Sequence, residues 1–137
     1  MKGLRLYKTE KLCSRTAVSL LFEQGHSSIA FPLRAVYRLH EPVKESPAQF
    51  LITIPKKKIR HAVDRVLLRR RTREAYRLWR RTLLYPTLQQ AALGVDIAFI
   101  YLDKEPASYD IIEERMKQLL ARMADAAVAH TTETQQP

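Results

Sequence analysis

Positively charged side chains that can bind phosphate are concentrated in one stretch of this sequence, KKKIRHAVDRVLLRRRTREAYRLWRR. These 26 positions, 56–81, hold 12 of the chain's 24 Lys and Arg residues and two acidic residues. Four arginines recur at four-residue intervals, namely Arg65, Arg69, Arg73 and Arg77. In a helix this spacing puts them in a row along one side, where like charges repel each other weakly. Phosphates would relieve that repulsion, so the pattern predicts a polyanionic partner.

The same stretch has an apolar side. At about 100° per residue, one arc collects Arg69, Arg70, Arg73, Arg77, Arg80 and Arg81. The opposite side consists of Leu67, Leu68, Ala75, Tyr76, Leu78, Trp79 and Leu83. We predict that the apolar side, including Trp79, packs on a core, and that the arginine arc contacts RNA because no acid interrupts it. Phosphate contact is also predicted for the preceding lysines, Lys56, Lys57 and Lys58.

No set of side chains in the sequence predicts catalysis by the protein itself. A metal-dependent nuclease needs converging carboxylates, whereas Asp64 and Glu74 lie ten residues apart among arginines. We expect Asp64 to complement the helix dipole and Glu74 to pair with Arg70 or Arg77. The four histidines lack metal-ligand spacing, and Cys13 has no nearby histidine. We therefore predict neither a catalytic residue nor a metal site.

Length and charge limit the class of protein. A chain of 137 residues with 46% hydrophobic content fits one domain, which we place at residues 1–128. Residues 129–137 have no apolar periodicity and are predicted to be a disordered tail. A net charge of +10 favours nucleic acid or anionic lipid as partner. The single cysteine cannot form an internal disulfide, and no apolar run reaches the roughly 20 residues of a membrane span. We expect a cytoplasmic protein.

The elements that position the basic stretch can be predicted in order. Ser14 is a candidate cap for a first helix that ends at Gly25, and 25–28 is predicted to be a loop. Strands are predicted at 33–39 and 50–54, with 40–48 as a hairpin loop between them. In the first of these strands Arg34, Val36 and Arg38 share one side, and Ala35 and Tyr37 share the other.

The second half is predicted with the basic helix at its start. This helix should span 61–84 and be closed by Pro86, with a short turn at 88–93. The most apolar segment, VDIAFIYL at 95–102, is predicted to be a central strand. Ser108 caps a last helix whose core stripe is Ile112, Met116, Leu119, Leu120 and Met123. The fold class is therefore α+β, in the order α-β-β-α-β-α.

The basic stretch resembles a motif of the bacterial ribonuclease P protein component. The matching residues are Lys56, Lys57, Ile59, Ala62, Val63, Arg65, Arg69, Arg70, Arg73, Glu74, Ala75 and Tyr76. A second match is LLFEQG, in which Phe22 and Gly25 resemble the Phe-x-x-Gly of the family. The chain departs from the family at Val66 and Leu67, which replace the Asn and second Arg of an Arg-Asn-Arg signature. It also has Val18 where the family often has an aromatic residue.

The resemblance implies a fold and a function. The fold is a small mixed sheet with packed helices, similar to the second domain of ribosomal protein S5, with a left-handed βαβ crossover through the basic helix. The function is that of the accessory subunit of an endoribonuclease that removes the 5′ leader from precursor tRNA. Catalysis is expected in the RNA subunit, which uses Mg²⁺. The expected partners are ribonuclease P RNA and precursor tRNA, without an obligate protein partner or a membrane.

The resemblance also implies which residues bind. The RNA subunit is expected at Lys57, Arg60, Arg65, Arg69, Arg70, Arg73 and Arg77. The leader is expected at Phe22, Phe31, Arg34, Tyr37 and Lys56, in a cleft between the first helix and the strands. For Tyr37 and Phe31, half-buried packing in the sheet is the alternative.

Three other functions fit parts of the pattern. A ribosomal or other structural RNA-binding protein would use the same helix without a part in cleavage. A membrane-surface helix needs a free apolar face, whereas two further core-forming elements here match that face. A nuclease acting without RNA would need the catalytic residues that the sequence does not offer.

Overall fold

A computed structural model describes residues 5–41 and 47–135, with side chains as far as Thr131. A 3-10 turn at Lys8–Glu10 precedes the regular elements. In chain order these are α1 (Arg15–Gln24), β1 (His26–Ala30), β2 (Leu33–His40), β3 (Ala48–Thr53), α2 (Ala62–Leu83), α3 (Tyr85–Ala91), β4 (Gly94–Tyr101) and α4 (Tyr109–Gln135).

The four strands form one mixed sheet in the order β1-β2-β4-β3. β1 and β2 pair antiparallel, β2 and β4 pair antiparallel, and β3 and β4 pair parallel. This confirms the α+β class and the central place of the apolar strand β4. The parallel pair is connected through α2 and α3, and the left-handed sense of that crossover stays a prediction.

Two predictions about the strands were wrong. β2 and β3 do not form a hairpin, because β4 lies between them; residues 42–46 of their connection lie outside the described residues. The predicted loop after Gly25 contains strand β1, in which His26 pairs with Tyr37 and Ala30 with Leu33. Its sequence, HSSIA, has little apolar alternation because an edge strand is held mainly by backbone hydrogen bonds to one neighbour.

The ends of the helices were predicted with mixed success from local sequence signals. Ser14 Oγ accepts a hydrogen bond from Ala17 N, and Ser108 Oγ accepts one from Ile111 N, so both predicted caps are confirmed. α2 ends at Leu83, and Pro86 lies in the first turn of α3, which replaces the predicted turn at 88–93. α4 continues to Gln135, and the disorder of the tail 129–137 stays a prediction.

Both faces of the sheet are covered, but unequally. The main core lies between one face and helices α2, α3 and α4, and the predicted stripe of α4 is completely buried in it. α1 covers part of the other face through a small cluster formed by Leu12, Leu21, Val36 and Ala98. Trp79 packs at the edge of the main core and is half-buried. The rest of the α1 side of the sheet remains open.

Candidate RNA-binding surfaces

The first candidate surface is the outward side of α2. Arg69, Arg70 and Arg73 are all exposed there. The ion pairs found among the described residues do not involve any of these three. They line a shallow groove along the helix together with Ala62, Arg65 and Val66. The predicted arginine face therefore exists at the N-terminal half of α2, and its central guanidinium groups are accessible to phosphate.

Arg65 has a second task at the start of this surface. Its Nη1 donates to the carbonyl oxygens of Ile59 and Arg60, at 2.9 and 2.7 Å. These bonds tie the lead-in, residues 56–60, to the first turn of α2. The N-cap residue of α2, His61, makes no side-chain cap. Arg65 is consequently held in a defined position beside Arg69.

The lysine-rich lead-in is an ordered turn. The amides of Lys58 and Ile59 donate to Pro55 O at 3.0 and 3.1 Å, and the Ile59 side chain is buried in the main core. This anchor leaves Lys56, Lys57, Lys58 and Arg60 exposed. Positive charge thus continues from the end of β3 onto α2.

The distal part of α2 is different from the prediction. Arg77 is bidentate to Glu74, with N–O distances of 2.9 and 2.6 Å. The bonds from Arg77 lower the pKa of Glu74 although its burial opposes this. The charge of Arg77 is therefore largely neutralised. Of the two predicted partners of Glu74, Arg70 and Arg77, the structure shows Arg77.

Arg80, expected on the exposed arc, is completely buried. Its Nε donates to Glu10 Oε1 at 2.7 Å, and Nη2 donates to Glu10 Oε2 at 3.2 Å and to Arg5 O at 2.8 Å. The Tyr85 hydroxyl also donates to Glu10. The helical wheel was wrong here because the N-terminal segment and α3 cover this end of α2, which a wheel cannot represent.

The second candidate surface is the open part of the sheet beside α1. Phe22 of α1 is 51% exposed, and Arg34 of β2 lies on the same side of the sheet as Val36. Arg34 Nε donates to Ser27 Oγ at 2.8 Å, which fixes the guanidinium over β1. The floor is formed by half-buried Leu51 and Ile100. An aromatic ring, a fixed guanidinium and an apolar floor are suited to single-stranded nucleic acid.

Phe31 lies in the turn between β1 and β2, at the end of the sheet where β2 begins. Its side chain is 56% exposed, and its carbonyl oxygen accepts a bond from Arg115 Nε at 2.9 Å. α4 thereby holds the turn in place.

Tyr37, predicted in the same cleft, lies on the opposite face of the sheet. It pairs in register with His26 and Ile97 and packs half-buried against the main core. Side chains alternate along a strand, so Tyr37 cannot share a face with Arg34 and Val36. The structure therefore places Tyr37 outside that cleft, in the half-buried sheet packing that was the alternative.

A cleft of about 500 Å³ lies between α1 and the far end of the sheet; the sequence predicted a cleft between the first helix and the strands but not the residues that line this part of it. Arg38, His40 and Asp96 line it, opposite Ser14 and Leu20 of α1. His40 Nδ1 lies 2.6 Å from Glu41 O, and Nε2 lies 3.1 Å from Asp96 Oδ1. The bond to Asp96 raises the pKa of His40, against the effect of burial. No sequence signal links His40 to Asp96, because the antiparallel pairing of β2 and β4 brings them together.

The described part of the chain offers neither a metal site nor a membrane-spanning helix. No group of three His, Cys, Asp or Glu side chains there could hold a metal ion. No helix in the same part is both long and apolar enough to cross a membrane.

Comparisons with known proteins agree on one family. The family model described as Ribonuclease P matches residues 6–124. The ribonuclease P protein component of Porphyromonas gingivalis is 34% identical over 119 residues, covering 87% of this chain and 86% of that protein. The one from Chlorobaculum tepidum is 31% identical over 127 residues, covering 87% and 82%.

Solved structures agree in fold. The RNase P protein from Thermotoga maritima superposes with a TM-score of 0.64 at 24% identity, over 82% of this chain and 96% of that one. The Staphylococcus aureus RNase P protein gives a TM-score of 0.64 at 18% identity, over 85% and 96%.

Proposed function

Because the chain belongs to the ribonuclease P protein family, we propose that it binds the catalytic RNA through α2 and the 5′ leader of precursor tRNA on the α1 side of the sheet. It acts as the protein subunit of ribonuclease P, the endonuclease that produces the mature 5′ end of tRNA. The observation that carries this assignment is the exposed group of Arg69, Arg70 and Arg73 on α2, which takes part in none of the ion pairs found among the described residues.

The RNA subunit binds to the first half of α2 and its lead-in. Arg69, Arg70 and Arg73 supply the central contacts, and Lys57, Arg60 and Arg65 extend them. Guanidinium groups form paired hydrogen bonds to phosphate oxygens, and each neutralised phosphate releases counterions. Arg77 adds less to RNA binding, because its guanidinium already pairs with Glu74. Affinity should therefore depend steeply on salt.

The leader lies across the second surface. Phe22 and Phe31 offer rings on which bases stack, and Arg34 and Lys56 contact the strand between them. The two surfaces meet after the end of β3, where Lys56 begins the lead-in of α2. One small subunit can therefore contact both RNAs at once.

Catalysis belongs to the RNA subunit, together with the Mg²⁺ that the reaction uses. Among the described residues, the carboxylates that form ion pairs are engaged elsewhere: Glu10 with Arg80, Glu74 with Arg77, Asp96 with His40, and Glu114 with Arg115. They do not form a donor set for a metal ion. The protein's own contribution is to reduce phosphate repulsion between two polyanions and to position the leader.

The test is reconstitution with the ribonuclease P RNA of the same organism at low Mg²⁺. Wild-type protein should restore cleavage of precursor tRNA, and the double charge reversal Arg69→Glu/Arg73→Glu should abolish both assembly and cleavage. The control is Lys104→Glu, an exposed charge in the loop before α4, which should retain activity. RNA binding without restored cleavage would instead indicate a structural RNA-binding protein, and unchanged assembly of the double variant would refute the α2 interface.

A further inference from the structure

The arginine face of α2 carries two exposed valines. Val63 is 79% exposed and Val66 is 59% exposed. They lie three positions apart and so share one side of the helix. An isolated exposed valine is ordinary, but Val66 lines the same groove as Arg65, Arg69 and Arg70, and Val63 lies about one turn before it on the helix.

The groove along α2 has two chemically different walls. One four-residue row consists of Ala62, Val66 and Arg70, and the neighbouring row consists of Arg65, Arg69 and Arg73; both rows line the groove. Its first two turns therefore offer an apolar wall beside a cationic wall. A ligand that fits must present an apolar face and a negative charge side by side.

We propose that an unpaired nucleotide of an RNA strand binds here, with its base or ribose packed on Val63 and Val66 and its flanking phosphates on the Arg65–Arg69–Arg73 row. The inference deepens the proposed function, since it specifies the kind of RNA element that α2 contacts. A nucleotide in a duplex hides its base faces in the stack, whereas a bulged or looped nucleotide exposes them. The charge of the surrounding arginines favours RNA over an apolar protein segment.

The chemistry of valine decides how this contact can be tested. A valine side chain can contribute to binding only by removing apolar surface from water. Such a contact releases no counterions, so its loss should not change the salt dependence of binding. Loss of an arginine contact should change it.

The experiment measures binding of the full chain to the ribonuclease P RNA over a series of KCl concentrations at fixed Mg²⁺. Val63→Ser/Val66→Ser should weaken binding about tenfold with an unchanged salt slope. Arg69→Gln should weaken binding and reduce the slope by about one. The matched control is Val128→Ser, which alters a 54% exposed valine on α4 and should bind as wild type. Serine and valine have similar helix propensities, so the far-UV circular dichroism of the double serine variant should match that of wild type.

Chemical probing of the bound RNA supplies the second readout. Wild-type protein should protect an unpaired nucleotide that the double serine variant leaves reactive. Wild-type affinity and protection in the double serine variant, with weakened binding by Arg69→Gln, would overturn this inference and leave the proposed function standing. If Arg69→Gln and Arg73→Gln also bind as wild type, the proposed function itself fails.

Discussion

Arg80 and Glu10 form an ion pair inside the protein, although 70 residues separate them in the sequence. Arg80 is completely buried and Glu10 is 2% exposed. The pair connects the N-terminal segment to the C-terminal end of α2, and the Tyr85 hydroxyl joins it from α3. Burial alone would raise the pKa of Glu10, but the hydrogen bonds from Arg80, Tyr85 and the Tyr7 amide hold it below its ordinary value.

Glu10→Ala should strongly destabilise the fold. Removing one partner leaves the Arg80 charge buried without compensation, which costs about 3–5 kcal/mol. Urea unfolding at pH 7 measures the loss. Glu74→Ala is the control: it removes the half-exposed partner of Arg77 and should cost about 1 kcal/mol or less. Equal losses in the two variants would contradict the buried pair.

The same ion pair predicts sensitivity to acid. The folded-state pKa of Glu10 lies below its ordinary value of 4.5. Its stabilising effect is therefore complete above pH 4.5 and is lost as the pH falls through the folded pKa. The stability difference between wild type and Glu10→Gln should accordingly shrink below pH 4.5 in urea unfolding. A difference that does not vary with pH would show that Glu10 is not ionised in the folded state.

His40 predicts the opposite dependence. Both ring nitrogens face acceptors, Glu41 O and Asp96 Oδ1, so the protonated ring satisfies both. The folded-state pKa is raised above the ordinary value of 6.5. The contribution of His40 to the free energy of unfolding is thus complete below pH 6.5 and is lost as the pH rises through the folded-state pKa. Wild type should exceed His40→Gln in stability at pH 5.5 and lose most of that advantage by pH 9. The NMR titration of His40 checks the pKa directly.

Gly25 is required by close packing, not by an unusual backbone conformation. Its φ is −75°, which any residue adopts, but a Cβ there would lie 2.3 Å from Leu21 O and 3.1 Å from Tyr37 O. Gly25→Ala should force α1 away from β2 and cost about 2 kcal/mol or more. Thermal unfolding measures this, with Gln24→Ala at the adjacent exposed position expected to stay within about 0.5 kcal/mol of wild type. A neutral Gly25→Ala would mean that α1 is not held against β2 as described.

The sequence predicted those parts of the fold that local patterning determines. The apolar run of β4, the core stripe of α4 and the serine caps depend on neighbours in the chain, and all are confirmed. β1 was missed because an edge strand of small polar residues is held by backbone pairing with β2. Arg80 was misplaced because its partner is distant in sequence. The exposed arginines at the start of α2 were predicted correctly because, in the part of the chain that the structure describes, no other element covers that side.

Because the side chains of β2 alternate between the two faces of the sheet, Phe22 and Tyr37, which the sequence predicted in one cleft, lie on opposite sides of the sheet. Phe22 is exposed on the α1 side, whereas Tyr37 packs on the opposite face. Phe22→Ala should weaken binding of precursor tRNA with a 5′ leader by roughly fivefold or more, because stacking on one base is worth about 1–3 kcal/mol. Binding of mature tRNA, which has no leader, should not change. Tyr37→Phe retains the ring in the core and should bind both RNAs as wild type. The measurement, made with the reconstituted holoenzyme, is the dissociation constant for mature tRNA divided by the dissociation constant for precursor tRNA. If Phe22→Ala leaves this ratio unchanged and Tyr37→Phe lowers it, the leader follows the α4 side of the sheet and the second surface is wrongly placed.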